Sequence, residues 1–160
     1  MSRQLRVYVS CALTHASEEY KAEINWLAKE IGSFCEVLSF VGLEGQPPID
    51  IYRHDIEFCV DSCDLLVMVG DVVGAATGSD GRGFELAVHL RGNHRPVLAL
   101  LQHRSRLSAI SLGAFERYPE LCEIFRYQKI VQTVPIIRQR VVSLERRLGL
   151  QGKLEPALFS

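Results

Sequence analysis

The chain has 160 residues, 48% of them hydrophobic, with 18 basic and 19 acidic side chains for a formal charge of -1. That length and apolar content suit one compact domain over residues 1–160, and the balanced charge supplies no long-range field to draw the chain to nucleic acid or an anionic membrane. Five scattered cysteines, an odd number, fit reduced thiols in a cytoplasmic protein, and no apolar run approaches the ~20 residues of a membrane span.

Met1 to Arg6 lacks the apolar region and small-residue cleavage site of a signal peptide, and Leu5 to Ser10 alternates as a first strand. Ser17 is placed to cap a helix that carries Glu18 and Glu19 in its first turn. Ile24, Leu27, Ala28 and Ile31 form its apolar face, and Gly32 ends it. Cys35 to Val41 reads as a second strand, and the glycines and prolines of Val41 to Pro48 as a loop. A helix from near Asp50 to about Cys63 leads through Asp64 into Leu65 to Val69, an unbroken apolar run suited to a strand buried on both faces. Five glycines between Gly70 and Gly83 make a loop that opens into a helix reaching about Leu90. Pro96 to Leu101 is a fourth strand, Ser108 to Phe115 a turn of helix, and Tyr127 to Gln132 a further strand. The last helix runs from Pro135 to Leu148, with Ile137, Val141, Leu144 and Leu148 as its buried stripe and Gly149 as its cap. This alternation predicts an α/β fold, a doubly wound (flavodoxin-like or Rossmann-like) sheet of about five mostly parallel strands with helices on both faces. Ligands of such sheets sit at the carboxyl ends of strands where crossovers reverse direction. The end of strand one (Tyr8 to Thr14), the glycine loop and the loop after strand four should therefore share one pocket.

Ser79-Asp80-Gly81-Arg82-Gly83-Phe84-Glu85 is the most informative segment. Such a turn can hold an anion on backbone N–H donors while presenting a carboxylate to the same volume, which suggests chemistry on a phosphorylated small molecule. It can equally be an ordinary helix start, with Glu85 complementing the macrodipole by ~0.3–1 kcal/mol. Asp55 is the second carboxylate. Its helical neighbours Ile51, Tyr52, Phe58 and Cys59 are apolar or aromatic, which calls for a partner, a raised pKa, or a boundary position that reaches solvent. Two carboxyl groups flanking an acetal-like bond can divide its cleavage between attack and protonation. Tyr8, at a strand end, can hydrogen-bond a catalytic carboxylate or simply pack its ring. No third glycine completes a dinucleotide fingerprint and no G-K-S/T exists, so neither nicotinamide nor ATP chemistry is supported. Cys59 and Cys63 lack a second ligand pair, and His15, His54, His89, His94 and His103 show no metal spacing, so no metal or cofactor is expected and surface or supporting roles are expected of all five histidines.

Taken together, Tyr8-Val9-Ser10-Cys11-Ala12-Leu13-Thr14, the helix with His54-Asp55-Ile56-Glu57 closing on Asp64-Leu65-Leu66-Val67, the Ser79 to Leu86 segment and Leu107-Ser108-Ala109-Ile110 resemble the nucleoside 2-deoxyribosyltransferase superfamily. Within it they are closest to the 2'-deoxynucleoside 5'-phosphate N-hydrolases, over about Arg6 to Gly113. The resemblance implies that Glu85 is the nucleophile forming a glycosyl-enzyme intermediate, that Asp55 protonates the departing base, and that Tyr8 orients Glu85. It implies phosphate contacts from Ser79 and from Ser108 of a neighbouring subunit, hence a homodimer or higher homo-oligomer. Gly81 and Gly83 would bring backbone close to the substrate. Where the hydrolases offer a serine and an arginine from the first loop, this chain has Ala12 and Thr14, and Arg82 or Ser10 would have to compensate. The expected reaction is hydrolysis of a (deoxy)nucleoside 5'-monophosphate to free base and sugar phosphate. Base exchange between deoxynucleosides, a noncatalytic nucleotide sensor and a flavodoxin-like flavin carrier are the alternatives.

Overall fold

The computed structural model describes residues 3–11, 16–38, 45–70 and 80–150. In chain order these form β1 (Arg6–Ser10), α1 (Glu18–Ile31), β2 (Glu36–Leu38), α2 (Pro48–Tyr52), β3 (Leu65–Val69), α3 (Asp80–Ala87), β4 (Val97–Gln102), α4 (Ala109–Arg117), β5 (Cys122–Tyr127) and α5 (Thr133–Leu148). Two of the helices do not end where their α-turns end. The chain continues from α2 into a π-helical segment, Arg53–Val60, and from α3 into another, Val88–Asn93.

The strands form one five-stranded sheet in the order β2-β1-β3-β4-β5, every pair parallel. This is the doubly wound α/β architecture expected from the alternation of elements. Period-two side-chain alternation divides the strands between two cores. On one face Val7, Val9, Val67, Leu98 and Leu100 pack against Tyr20, Ile24, Leu27 and Ile31 of α1 and Ile137, Val141 and Leu144 of α5. On the other Tyr8, Leu66, Met68 and Ala99 pack against Ile56, Cys59, Leu86, Leu90 and Phe115. Chain order 2-1-3 means that the crossover leaving β1 runs over one face and the one entering β3 over the other. The carboxyl ends of β1 and β3 thus flank the crevice where ligands bind in such sheets.

Local chemistry sets the element ends. Ser17 caps α1 by accepting from the Tyr20 N–H, and Gly149 closes α5 in the left-handed conformation at φ 68°. Asp64 opens β3 held by the Arg3 fork (2.6 and 2.7 Å) and the Arg6 N–H (2.8 Å). Burial opposes its charge, but those donors outweigh burial and hold its pKa below the ordinary carboxylate value.

Three expectations are corrected. The fifth strand is Cys122–Tyr127, paired along β4 from Val97↔Cys122 to Gln102↔Tyr127, and the expected strand at Tyr127 to Gln132 is instead a 3-10 turn, Ile130–Gln132. Glu123 and Arg126 had masked an edge strand, whose outer side tolerates charge; Glu123 is paired with Arg140. Leu148 is exposed and Glu145 takes the buried position on α5. The helix after the glycine loop starts at Asp80, earlier than Gly83, so Gly81 and Gly83 are helical. Of the two roles open to the histidines, His89 has a buried one, with Nε2 2.9 Å from the Pro96 carbonyl and Nδ1 3.6 Å from Cys63 Sγ.

Candidate active site

Tyr8 and Ser10 are alternate residues of β1 and point to the same side of the sheet, the side covered by the π-helical segment after α2 and by α3. Glu85 approaches from α3. Leu86 and Leu90 anchor that helix in the core, leaving the carboxyl of Glu85 over the strand ends with 7% of its surface exposed. Asp55 comes from the π-helical continuation of α2, half-buried, with Oδ1 3.0 Å from Nδ1 of the adjoining His54. Sequence periodicity placed Asp55 in an apolar stripe with Tyr52 and Phe58. Both of those side chains are exposed, because the i→i+5 turns of a π-helix redirect its side chains, and Asp55 is left at the edge of the buried layer. Insertions of this kind recur at functional sites.

Three separate elements thus bring the triad Tyr8, Asp55 and Glu85 into electrostatic contact, and Ser10 joins them. Burial pushes the Glu85 pKa up to about 7, and the negative charge of Asp55 adds to that rise. The hydroxyls of Tyr8 and Ser10 and the Arg82 guanidinium act in the opposite direction. Tyr8 is shifted far upward, by burial first and then by Glu85 and Asp55, so it remains a phenol able to donate a hydrogen bond. Although both hydroxyls are near enough to favour the carboxylate, Ser10 Oγ and Glu85 Oε2 make no hydrogen bond at ordinary geometry. Each is a buried polar atom with bonding capacity to spare, which is uncommon in a folded protein unless a ligand uses it.

The neighbouring thiols are inert. Burial, with help from the two carboxylates, pushes Cys11 and Cys59 up to about 12, which leaves them protonated at neutral pH. All five cysteines are free thiols. Among the described residues no group of His, Cys, Asp or Glu could hold a metal ion, and no helix is long and apolar enough to cross a membrane.

The phosphate side of the expected site is less fully described. Ala12, Thr14 and Ser79 lie outside the described residues. Gly81 and Gly83 occupy the first turn of α3, and no atom lies within 4 Å of where a Cβ on Gly83 would stand, so that position is open. Ser108 is exposed and is not among the groups that act on Glu85; it caps α4, its Oγ accepting from the Ser111 N–H at 3.3 Å. Arg82, which with Ser10 is the residue that would have to compensate on the phosphate side, is buried, with Nη1 2.7 Å from the Val69 carbonyl at the end of β3. An earlier helix start would have placed it one turn before Glu85 on the same side of α3.

No family model matches this chain, and no curated protein matches it. Among solved structures its fold is similar to that of a CMP N-glycosidase from Clostridium botulinum. The TM-score is 0.59 at 17% sequence identity, and the match covers 84% of this chain and 98% of that one. At that identity the likeness establishes the fold, a five-stranded parallel sheet with helices on both sides.

Proposed function

We propose that the protein hydrolyses the N-glycosidic bond of a nucleoside 5'-monophosphate, in its deoxy or ribo form, to the free base and the sugar 5-phosphate. The observation that carries this reading is the buried Glu85 carboxyl, set beside a phenol and a second carboxylate where the strand order reverses. A carboxylate in that position can attack the anomeric carbon as the C–N bond breaks and its electron pair leaves with the base. With Glu85 ionised, the one proton held by the two carboxyl groups resides on Asp55, and from that acid form Asp55 supplies the proton that the base needs. In the second half, water attacks the same carbon, gives its proton to Asp55 and releases Glu85 as the carboxylate. Tyr8 and Ser10 orient Glu85 throughout. The reaction is of the kind named for the structurally similar CMP N-glycosidase. Phosphate contacts would come from Ser79 and the first-turn N–H groups of α3, with Ser108 reaching the site from a second subunit of a homodimer.

The raised pKa of Glu85 favours one other assignment of roles, in which Glu85 is the acid and Asp55 the nucleophile, since a carboxyl that keeps its proton near pH 7 suits the acid. Trapping the intermediate with a slow 2-fluoro substrate and mapping the modified peptide separates the two. Label on Glu85 supports the first, and label on Asp55 the second.

The decisive experiment incubates the protein with a panel of nucleosides and nucleoside monophosphates and follows released base by chromatography. Glu85→Ala should abolish release, and unchanged turnover in that variant would refute the assignment. Adding a second base tests for exchange, because a transferase makes a new nucleoside where a hydrolase frees the sugar. An active monomer in sedimentation would overturn the shared-subunit arrangement.

A further inference from the structure

Arg82 is 6% exposed, an unusual degree of burial for a guanidinium. Its Nη1 donates to the Val69 carbonyl at 2.7 Å, joining the first turn of α3 to the last residue of β3 across a separation of 13 residues. It stands one helical turn before Glu85, on the same side of α3. The same positive charge acts on Glu85 and on Cys11 at the end of β1, so the guanidinium lies near both. We propose that Arg82 is a positioning residue of this site, fastening the helix that carries Glu85 to the end of β3 and supplying the buried positive charge that lets a carboxylate form beside Asp55. The inference rests on the reading of Glu85 as nucleophile.

The physical need is plain. Two carboxylates brought together in a buried crevice disfavour a second negative charge, and attack requires Glu85 to be ionised. Groups that bear on Glu85 come from every element around it. They are Tyr8 and Ser10 on β1, Asp55 on the π-helical segment, and Arg82 on its own helix, with the protonated thiols of Cys11 and Cys59 close by. α4 also packs on α3, but its charged residues Glu116 and Arg117 lie at its C-terminal end and are exposed. Among the described residues Arg82 is therefore the cation that acts on Glu85, while His54 on the π-helical segment lies with Nδ1 3.0 Å from Oδ1 of the other carboxyl, Asp55. Donating Nη1 to a backbone carbonyl holds that charge in place at the end of β3.

The test titrates Glu85 in the substrate-free protein by carboxyl-detected NMR, with the signal assigned through Glu85→Gln. In wild type the midpoint should lie near 7. Arg82→Gln should raise it by about one pH unit, Arg82→Lys should hold it within about half a unit, and Asp55→Asn should move it down. A purely structural strut would lower the melting temperature in both Arg82 variants without moving the midpoint. An unmoved midpoint in folded Arg82→Gln, or a rise of about a unit in Arg82→Lys, overturns the proposal. Where base release is measurable, its acid limb should follow the same shifts. A wild-type protein that cleaves no nucleotide would defeat the proposed function while leaving the titration result standing.

Discussion

Glu85 holds its proton to a higher pH in the native protein than in the unfolded chain, so its chemistry and its contribution to stability are linked. With a native pKa of about 7 against 4.5 unfolded, the native state binds more protons between those values, and stability falls as pH rises through the window. Removing the charge should reverse the loss. Glu85→Gln is expected to gain on the order of 3 kcal/mol at pH 8, with the gain fading to nothing below about pH 4.5, as read by urea denaturation across pH. The same variant loses base release, so it would be more stable and inactive, as expected of a site that holds an uncomfortable charge for function. If turnover uses the carboxylate form, the rate should climb with pH through about 7 in wild type.

The elements are held by a few local devices whose removal should cost measurable stability. At the end of β3, Gly70 donates its N–H to Leu100 O at 2.8 Å, and a Cβ there would stand 2.5 Å from Leu101 Cδ2 and 3.3 Å from the Leu100 carbonyl. Gly70→Ala should therefore destabilise by ~1–3 kcal/mol in thermal or chemical unfolding. It should also disturb activity, because Val69, the anchor of Arg82, is the preceding residue. Ser17→Ala removes the cap of α1 and should lower stability by ~1 kcal/mol in urea denaturation. The two π-helical segments act at this same scale. One turns Asp55 toward Glu85, and the other carries His89 into the core, where burial lowers its pKa to about 4.

Across the whole molecule, Glu85 and His89 have opposite linkages in overlapping windows. His89 is neutral in the native state, so the unfolded chain binds the extra proton between about 4 and 6.5 and stability rises with pH there. Glu85 contributes the reverse slope from 4.5 to about 7. The two slopes should cancel, so wild-type stability from about pH 4.5 to 6.5 should carry no net slope from this pair, while Glu85→Gln should uncover a rise of ~1.4 kcal/mol per pH unit. Urea midpoints measured at several pH values check this, and a Glu85→Gln profile parallel to wild type would refute it. Much of this organisation was legible in the sequence. Apolar alternation and capping residues marked β1, α1, β3, β4 and α5, because burial on one or both faces imposes a period that a linear pattern can show. The residue types of the triad, Tyr8, Asp55 and Glu85, were also visible. Other features were decided only by tertiary structure. Edge strand β5 takes its register from β4 rather than from its own composition, and π-helical turns break the 3.6 period by which side-chain direction is read. The burial that raises Glu85, lowers His89 and commits Arg82 to a backbone carbonyl comes from chain segments far apart in sequence. Sequence by itself determined which groups the site could contain. Folding decided how tightly each of them holds its proton, because proton affinity depends on the charges and the solvent around a group rather than on its neighbours along the chain.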